Sequence, residues 1–169
     1  MVLADDESPV FLPPAWQVPA SMWFDEELSL EAFRTGKGVN WGEHDHRLQY
    51  GVAAFYRNGY RSNLVPEWLP ALEGVVDKLE AGINVADVGC GHGHSTVLMA
   101  KAFPRSHFYG FDVHAPSVQE SRQNATKAGV ADHAEFQIAK AVDYPDRQYG
   151  LVCFFDCLHD LGDPLAAAQ

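Results

Sequence analysis

An α/β fold, with a mostly parallel sheet and helices on both faces, follows from three features of the 169-residue sequence. From Ile83 onward, short apolar runs alternate with helical patterns, as in linked strand–helix units. The apolar runs are continuous, not alternating, which marks strands covered on both faces. The first run leads directly into a turn with glycine at every second position, Gly89-Cys90-Gly91-His92-Gly93, and then into a helix. Strand, glycine turn and helix N-terminus together form a nucleotide-type binding site. Backbone without Cβ atoms lets a ligand approach closely, and the N–H groups of a first helical turn favour a polar one. Such a ligand lies beyond the C-terminal ends of the strands.

Residues 1–24 combine prolines (Pro9, Pro13, Pro14, Pro19) with Phe11, Trp16, Trp23 and Phe24. The prolines oppose a long helix, and the aromatics require a surface to pack on. The segment reads as a linker or the tail of an upstream region. Residues 25–82 read as a helical segment covering the ligand site. Asp25 to Phe33 forms a short helix, Thr35 to Gly42 a glycine-rich connector, and Leu48, Val52, Phe55 and Tyr56 recur at helical spacing. Val65, Trp68, Leu69, Leu72, Val75, Val76 and Leu79 give the strongest amphipathic pattern, which Pro70 starts or kinks and Gly82 ends.

Residues 83–169 carry the strands. Ile83 to Val88 is the first, followed by a helix from Ser95 to Phe103. His107 to Phe111 is the second and ends on Asp112. Pro116 and Gly129 bracket the next helix, whose packing stripe is Val118, Ser121, Ala125 and Ala128. Ala134 to Ile138 is the third strand and Tyr149 to Phe155 the fourth, with a helix opening at Asp163-Pro164. The fourth strand is apolar throughout and no further strand follows it. The sheet is therefore expected to be truncated after about four strands, the N-terminal part of a longer domain.

The bulk composition narrows the partners. Hydrophobic residues make up 47% and charged residues 21%, as in globular proteins. A formal net charge of −11 without a basic run argues against nucleic acid and favours a small-molecule partner. No apolar run is long enough to span a bilayer. Cys90, Cys153 and Cys157 form no CxxC pair, and residues 1–8 are acidic where a secretory leader is basic. A cytoplasmic location with reduced thiols is the expectation.

Two acids sharpen the glycine turn. Asp87 stands in the strand just before the first glycine, and Asp112 ends the next strand, where a carboxylate can accept from both hydroxyls of a ribose. The Gly89-x-Gly91-x-Gly93 spacing departs from the GxGxxG of dinucleotide sites and disfavours a nicotinamide-dependent oxidoreductase. The stretches Val85 to Gly93 and Phe108 to Asp112 resemble the first two motifs of class I S-adenosylmethionine-dependent methyltransferases. The resemblance implies a Rossmann-like three-layer sandwich and S-adenosyl-L-methionine as cofactor. It implies that Gly89, Cys90, Gly91 and Gly93 run past the methionine part of the cofactor. Asp87 would orient the loop and face the amino group, Asp112 would hold the ribose hydroxyls, and Val113 would pack on the adenine. Many family members carry an acid where Lys140 stands, so the adenine here would rely on backbone at Ala141 and on apolar packing. The His159-Asp160-Leu161-Gly162-Asp163-Pro164 run, with Trp41-Gly42-Glu43-His44, resembles a bacterial subgroup in which a winged-helix region precedes the methyltransferase domain. That subgroup adds the expectation of a homodimer through a missing N-terminal region.

Methyl transfer needs alignment and, for some acceptors, removal of a proton. His159, with Asp160 or Asp156 to orient it, is the candidate base; a packing or helix-capping role is the alternative. Asp156 is either a cofactor or acceptor contact or a structural residue. His44-Asp45-His46 has the spacing of a metal pair, but a lone HxH with no third ligand more often lies at a helix start, and no metal is expected. Cys90 and Cys157 are either nucleophiles or packing residues, and nothing nearby in sequence marks the lowered thiol pKa that the first reading needs. Tyr50, Phe55, Tyr56 and Tyr60 are either an aromatic wall over the cofactor or ordinary core. Two functions stay open: a methyltransferase acting on a small molecule by direct displacement, or a non-catalytic sensor that binds the same cofactor.

Overall fold

A computed structural model describes residues 3–6 and 8–168. Met1, Val2, Glu7 and Gln169, at the ends of the expected 1–24 and 83–169 segments or within the first, lie outside the described residues. The chain forms two compact units, Met1–Gly59 and Tyr60–Gln169.

The first unit is helical. A 3-10 turn over Pro13–Trp16 leads into α1 (Gln17–Phe24). Pro19 sits in the first turn of α1, where a missing N–H costs the helix nothing. Asp25 separates α1 from α2 (Glu26–Thr35), which Gly36 ends in a left-handed conformation. A capping box between Asn40 and Glu43 then sets a short 3-10 turn, Trp41–Glu43. The helix α3 follows over His46–Asn63, and its last residues, from Tyr60, belong to the second unit. Asp25 is buried and joins these pieces. Its Oδ2 lies 2.9 Å from His44 Nδ1, and its Oδ1 accepts from the Asp45 amide at 2.9 Å.

In the second unit, the amphipathic run from Val65 to Leu79 is not one helix. A π-helical turn, Leu64–Trp68, is separated from α4 (Val75–Ala81) by turns, and Gly74 precedes α4 with a left-handed backbone. Pro66 and Pro70 each remove a backbone donor, so a continuous ladder cannot form across them. The apolar spacing is used in part: Leu69 and Leu79 are buried in one cluster, which Leu64 joins, while Trp68 and Leu72 are exposed.

Four parallel strands form the sheet: β1 (Asn84–Val88), β2 (His107–Asp112), β3 (Ala134–Ile138) and β4 (Leu151–Cys153), in the order β3-β2-β1-β4. Val85 pairs with Phe108 and with Leu151, which puts β1 between β2 and β4. The fourth strand is shorter than the apolar run that predicts it. Its register with β1 covers only Leu151, Val152 and Cys153.

The helices α5 (His94–Ala102) and α6 (Ala115–Ala128) cross over between the strands. Val85, Phe108, Phe136, Met99, Val118 and Ala125 share a core with α4, α5 and α6. Each of the valine, phenylalanine and methionine side chains among these contributes roughly 1.5–3 kcal/mol on removal from water. The opposite face, Ala86, Val88, Tyr109 and Phe111, is covered by the β3–β4 connection. There Tyr144 stacks on Phe111 at 5.0 Å, and Tyr149 packs edge-on to Tyr109 at 5.9 Å. A last short helix, α7 (Pro164–Ala167), is capped by Asp163, whose side chain accepts from the Ala166 amide. Among the described residues, no helix is long and apolar enough to cross a membrane.

Candidate cofactor site

At the C-terminal ends of β1 and β2, the glycine loop is tied to the second strand. The amides of Gly89 and Cys90 both donate to the Phe111 carbonyl, at 2.8 and 3.0 Å. The Gly91 amide donates to Asp112 Oδ2 at 2.9 Å, and the His114 amide donates to Oδ1 at 2.8 Å. Three loop amides therefore point at β2 and not outward. What the loop offers a ligand is bare backbone, held in place by the strand that ends in the ribose-binding candidate. Each Asp112 oxygen keeps a second lone pair, so the carboxylate can still accept from two hydroxyls.

All three loop glycines have a left-handed backbone, with φ of 74°, 52° and 72° at Gly89, Gly91 and Gly93. Their surroundings differ. A Cβ on Gly93 would come within 2.7 Å of Phe136 and 2.8 Å of Ser121, so this glycine is needed for helix–sheet packing. A Cβ on Gly91 would meet nothing within 4 Å. Gly91 borders open space beside Asp112, the kind of cradle a cofactor backbone fills. From α6, Asn124 Nδ2 donates to the His92 carbonyl at 3.0 Å and holds the far side of the loop.

Asp87 is sealed inside, 1% exposed. Ser95 and Thr96 both donate hydroxyls to its Oδ2, each at 2.6 Å, while Oδ1 is buried without a hydrogen-bond partner. Burial is the main force on this carboxyl and pushes its pKa up, against the pull of the two hydroxyls. These two bonds tie the C-terminal part of β1 to the first turn of α5 beneath the loop. The sequence reading did not single out Ser95 and Thr96 in this role. The available signal was two adjacent hydroxyl residues opening the helix after an acid-bearing strand.

The remaining candidates are placed as follows. Val113 is 57% exposed next to Asp112, an open apolar surface for a base. Ala141 is half-buried and packs against the aromatic cluster under β2. Cys90 is buried, and desolvation pushes its thiol far up in pKa. Cys157 donates its thiol to the Val88 carbonyl at 3.1 Å, and burial pushes its pKa up to about 12. Protonated thiols of this kind pack and do not attack. Asp156 follows β4 in a left-handed conformation, φ 54°, which strains a non-glycine residue. His159 sits on a 3-10 turn, Leu158–Asp160, with an exposed ring; Nδ1 is 3.9 Å from Asp156 Oδ1 and Nε2 is 3.4 Å from Asp160 Oδ1. The carboxylates expected to flank it do so, without a short hydrogen bond to fix the ring.

Of the aromatic candidates, Phe55 and Tyr56 meet edge-on at 5.3 Å in the first unit. In the second, Tyr60 packs against Trp68 and Phe155 at 6.1 and 5.5 Å, as core. A groove of about 310 Å³ lies at the opposite, N-terminal end of the strands, beside Asn84, Arg105, His107 and Gln148, and contains none of the motif residues.

S-adenosylmethionine fits this site. Gly91 leaves room for it, Asp112 offers two free lone pairs, and Val113 offers an apolar surface at the strand end. The family model described as "Methyltransferase domain" matches residues 79–169. Over 87 residues the chain is 32% identical to the 27-O-demethylrifamycin SV methyltransferase of Amycolatopsis mediterranei (strain S699), covering 50% of this chain and 32% of that protein. Over 116 residues it is 31% identical to the 2-methyl-6-phytyl-1,4-hydroquinone methyltransferase of Synechocystis sp. (strain ATCC 27184 / PCC 6803 / Kazusa), covering 66% and 35%. The matched chain thus spans about a third of the length of these two relatives. A candidate O-methyltransferase from Nostoc punctiforme PCC 73102 superposes with a TM-score of 0.61 at 18% identity, over 89% of this chain and 46% of that one. At that identity the likeness shows the fold alone.

Proposed function

The chain belongs to the methyltransferase-domain family, and from that membership we propose that it binds S-adenosylmethionine and serves methyl transfer to a small molecule by direct displacement. The observation that carries this reading is the link between Gly91 and Asp112. It joins a glycine facing open space to a carboxylate with free acceptor capacity at the neighbouring strand end.

When bound, S-adenosylmethionine supplies a methyl group already activated on a sulfonium. The chain's own task is mainly alignment, which can supply roughly 7–11 kcal/mol of the barrier. Asp112 would hold the ribose hydroxyls, the Gly89–Gly93 backbone would run past the methionine part, and Val113 and the Ala141 backbone would flank the adenine. Asp156 sits at the acceptor edge. His159 takes the acceptor's proton at Nδ1, with Nε2 turned toward Asp160. The small-molecule acceptor accords with the net charge of −11 and with the two curated relatives, both named for small-molecule methylation.

The resemblance to the winged-helix subgroup, its homodimer and a cytoplasmic location belong to the same proposal. Sequencing the gene on both sides of this segment tests the first of these. A non-catalytic sensor would use the same loop, and the exposed, loosely held His159 ring is the observation in its favour. Full-length protein incubated with methyl-labelled cofactor and a panel of small hydroxyl and amine acceptors distinguishes the two. Label in a product is the expected result; tight cofactor binding with no transfer to any acceptor supports the sensor.

A further inference from the structure

We propose that Ser95 and Thr96 are positioning residues of the cofactor site, acting on the glycine loop through the Asp87 carboxylate. The inference rests on the S-adenosylmethionine reading above. Asp87 is the penultimate residue of β1, Ser95 and Thr96 lie in the first turn of α5, and the loop Gly89–Gly93 is part of the chain between them. Its first anchor is β2, through the Phe111 carbonyl and Asp112. The hydroxyl pair on Asp87 Oδ2 is the second, and it fixes the loop's other end.

The anchor is unusual in its charge balance. The titratable groups bearing on Asp87 are Asp112 of β2, Cys90 in the loop, Cys153 of β4 and Cys157 beyond it. Asp112 repels it, and the thiols are held protonated by burial. None of these supplies positive charge. The hydroxyls of Ser95 and Thr96, with the Thr96 amide, are what favour the ionised carboxylate against desolvation and Asp112. A protonated Asp87 accepts more weakly, because hydrogen bonds to a charged acceptor are about twice as strong as neutral ones. The first turn of α5 then loses its hold on β1, and the loop loses the geometry set for the cofactor. Removing either hydroxyl shifts Asp87 toward its neutral form and brings that loss to higher pH.

The test uses the full chain as Ser95→Ala, Thr96→Val and Thr96→Ser. Calorimetry gives the Kd for S-adenosylmethionine between about pH 5 and about pH 8, and thermal unfolding is followed at the same pH values. Thr96→Val and Ser95→Ala are expected to bind about tenfold more weakly, with the acid loss of binding moved up by about one pH unit. Thr96→Ser, which keeps the hydroxyl, is expected to restore both. A lower Tm with the pH of half-loss unchanged means a merely structural role and overturns the inference. So does binding within twofold of the parent in both Ser95→Ala and Thr96→Val. Should Thr96→Val fail to fold, the Ser95→Ala pH profile decides alone. A parent chain that binds no S-adenosylmethionine overturns the methyltransferase reading itself, and the inference with it.

Discussion

Gly91 and Gly93 stand two residues apart with φ of 52° and 72°, and a methyl group would find opposite surroundings at each. Alanine at either position suffers left-handed strain of about 1–2 kcal/mol. At Gly93 it also runs into Phe136 and Ser121, adding about 1–3 kcal/mol of overpacking. Gly93→Ala is therefore expected to lower Tm by at least twice as much as Gly91→Ala, while Gly91→Ala gives the larger loss of cofactor affinity for a given loss of stability. Thermal melts and calorimetry on the two variants check this; equal effects in both measurements would count against the cradle at Gly91. The residue types at this site were legible in the sequence because turn chemistry is local: an acid, three glycines and a second acid at a strand end announce themselves by spacing. The partners of Asp87 were not legible. Which hydroxyl meets which carboxylate depends on how α5 leaves the loop, and no periodicity encodes that.

His133 joins the α6–β3 turn to α5. Its Nδ1 lies 2.6 Å from Asp132 Oδ1 and its Nε2 lies 3.0 Å from the Ala100 carbonyl, so both nitrogens face acceptors and the ring is satisfied only as the imidazolium. Burial acts to lower its pKa; the Ala100 carbonyl and the Asp132 carboxylate more than offset this, and the net shift is upward. With the folded pKa above the unfolded value of about 6.5, the stabilisation is whole below that value and is lost as pH rises through the folded pKa. The stability difference between the parent and His133→Ala is expected to be larger at about pH 5 than at about pH 9 in urea unfolding. A difference that does not change with pH would contradict the bridge. This contact, like the break between Leu64–Trp68 and α4, shows where element-level reading stopped. Of the apolar pattern, Leu69 and Leu79 are core, while Trp68 and Leu72, on the interrupted stretch, are exposed. The interruption itself was legible at Pro70, but the start of α4 was not: the helix begins only at Val75, after Gly74, because prolines act through backbone donors that hydrophobic periodicity does not see.

For the whole molecule, the parallel α/β class was the most legible property. Continuous apolar runs separated by helices leave few alternatives, and the crossover rule prunes those. The extent of β4 was less legible. An apolar run from Tyr149 to Phe155 yields only Leu151–Cys153 as strand, with β1 as its sole neighbour in the described sheet. A strand paired on one side exchanges its amides more readily than one paired on both. In the second unit, amides of Leu151–Cys153 are expected to exchange at least about tenfold faster than those of Val85–Val88. Equal protection would mean that β4 is covered in solution by something further.

The central claim, that the Gly89–Gly93 loop with Asp112 is an S-adenosylmethionine site, is tested most directly by calorimetry of the chain with S-adenosylmethionine and with NAD. The expected result is saturable binding of S-adenosylmethionine, weaker or no binding of NAD, and an affinity reduced about 10- to 100-fold in Asp112→Ala, which loses charge-assisted acceptors. NAD binding more tightly than S-adenosylmethionine, or Asp112→Ala binding S-adenosylmethionine as the parent does, would contradict it.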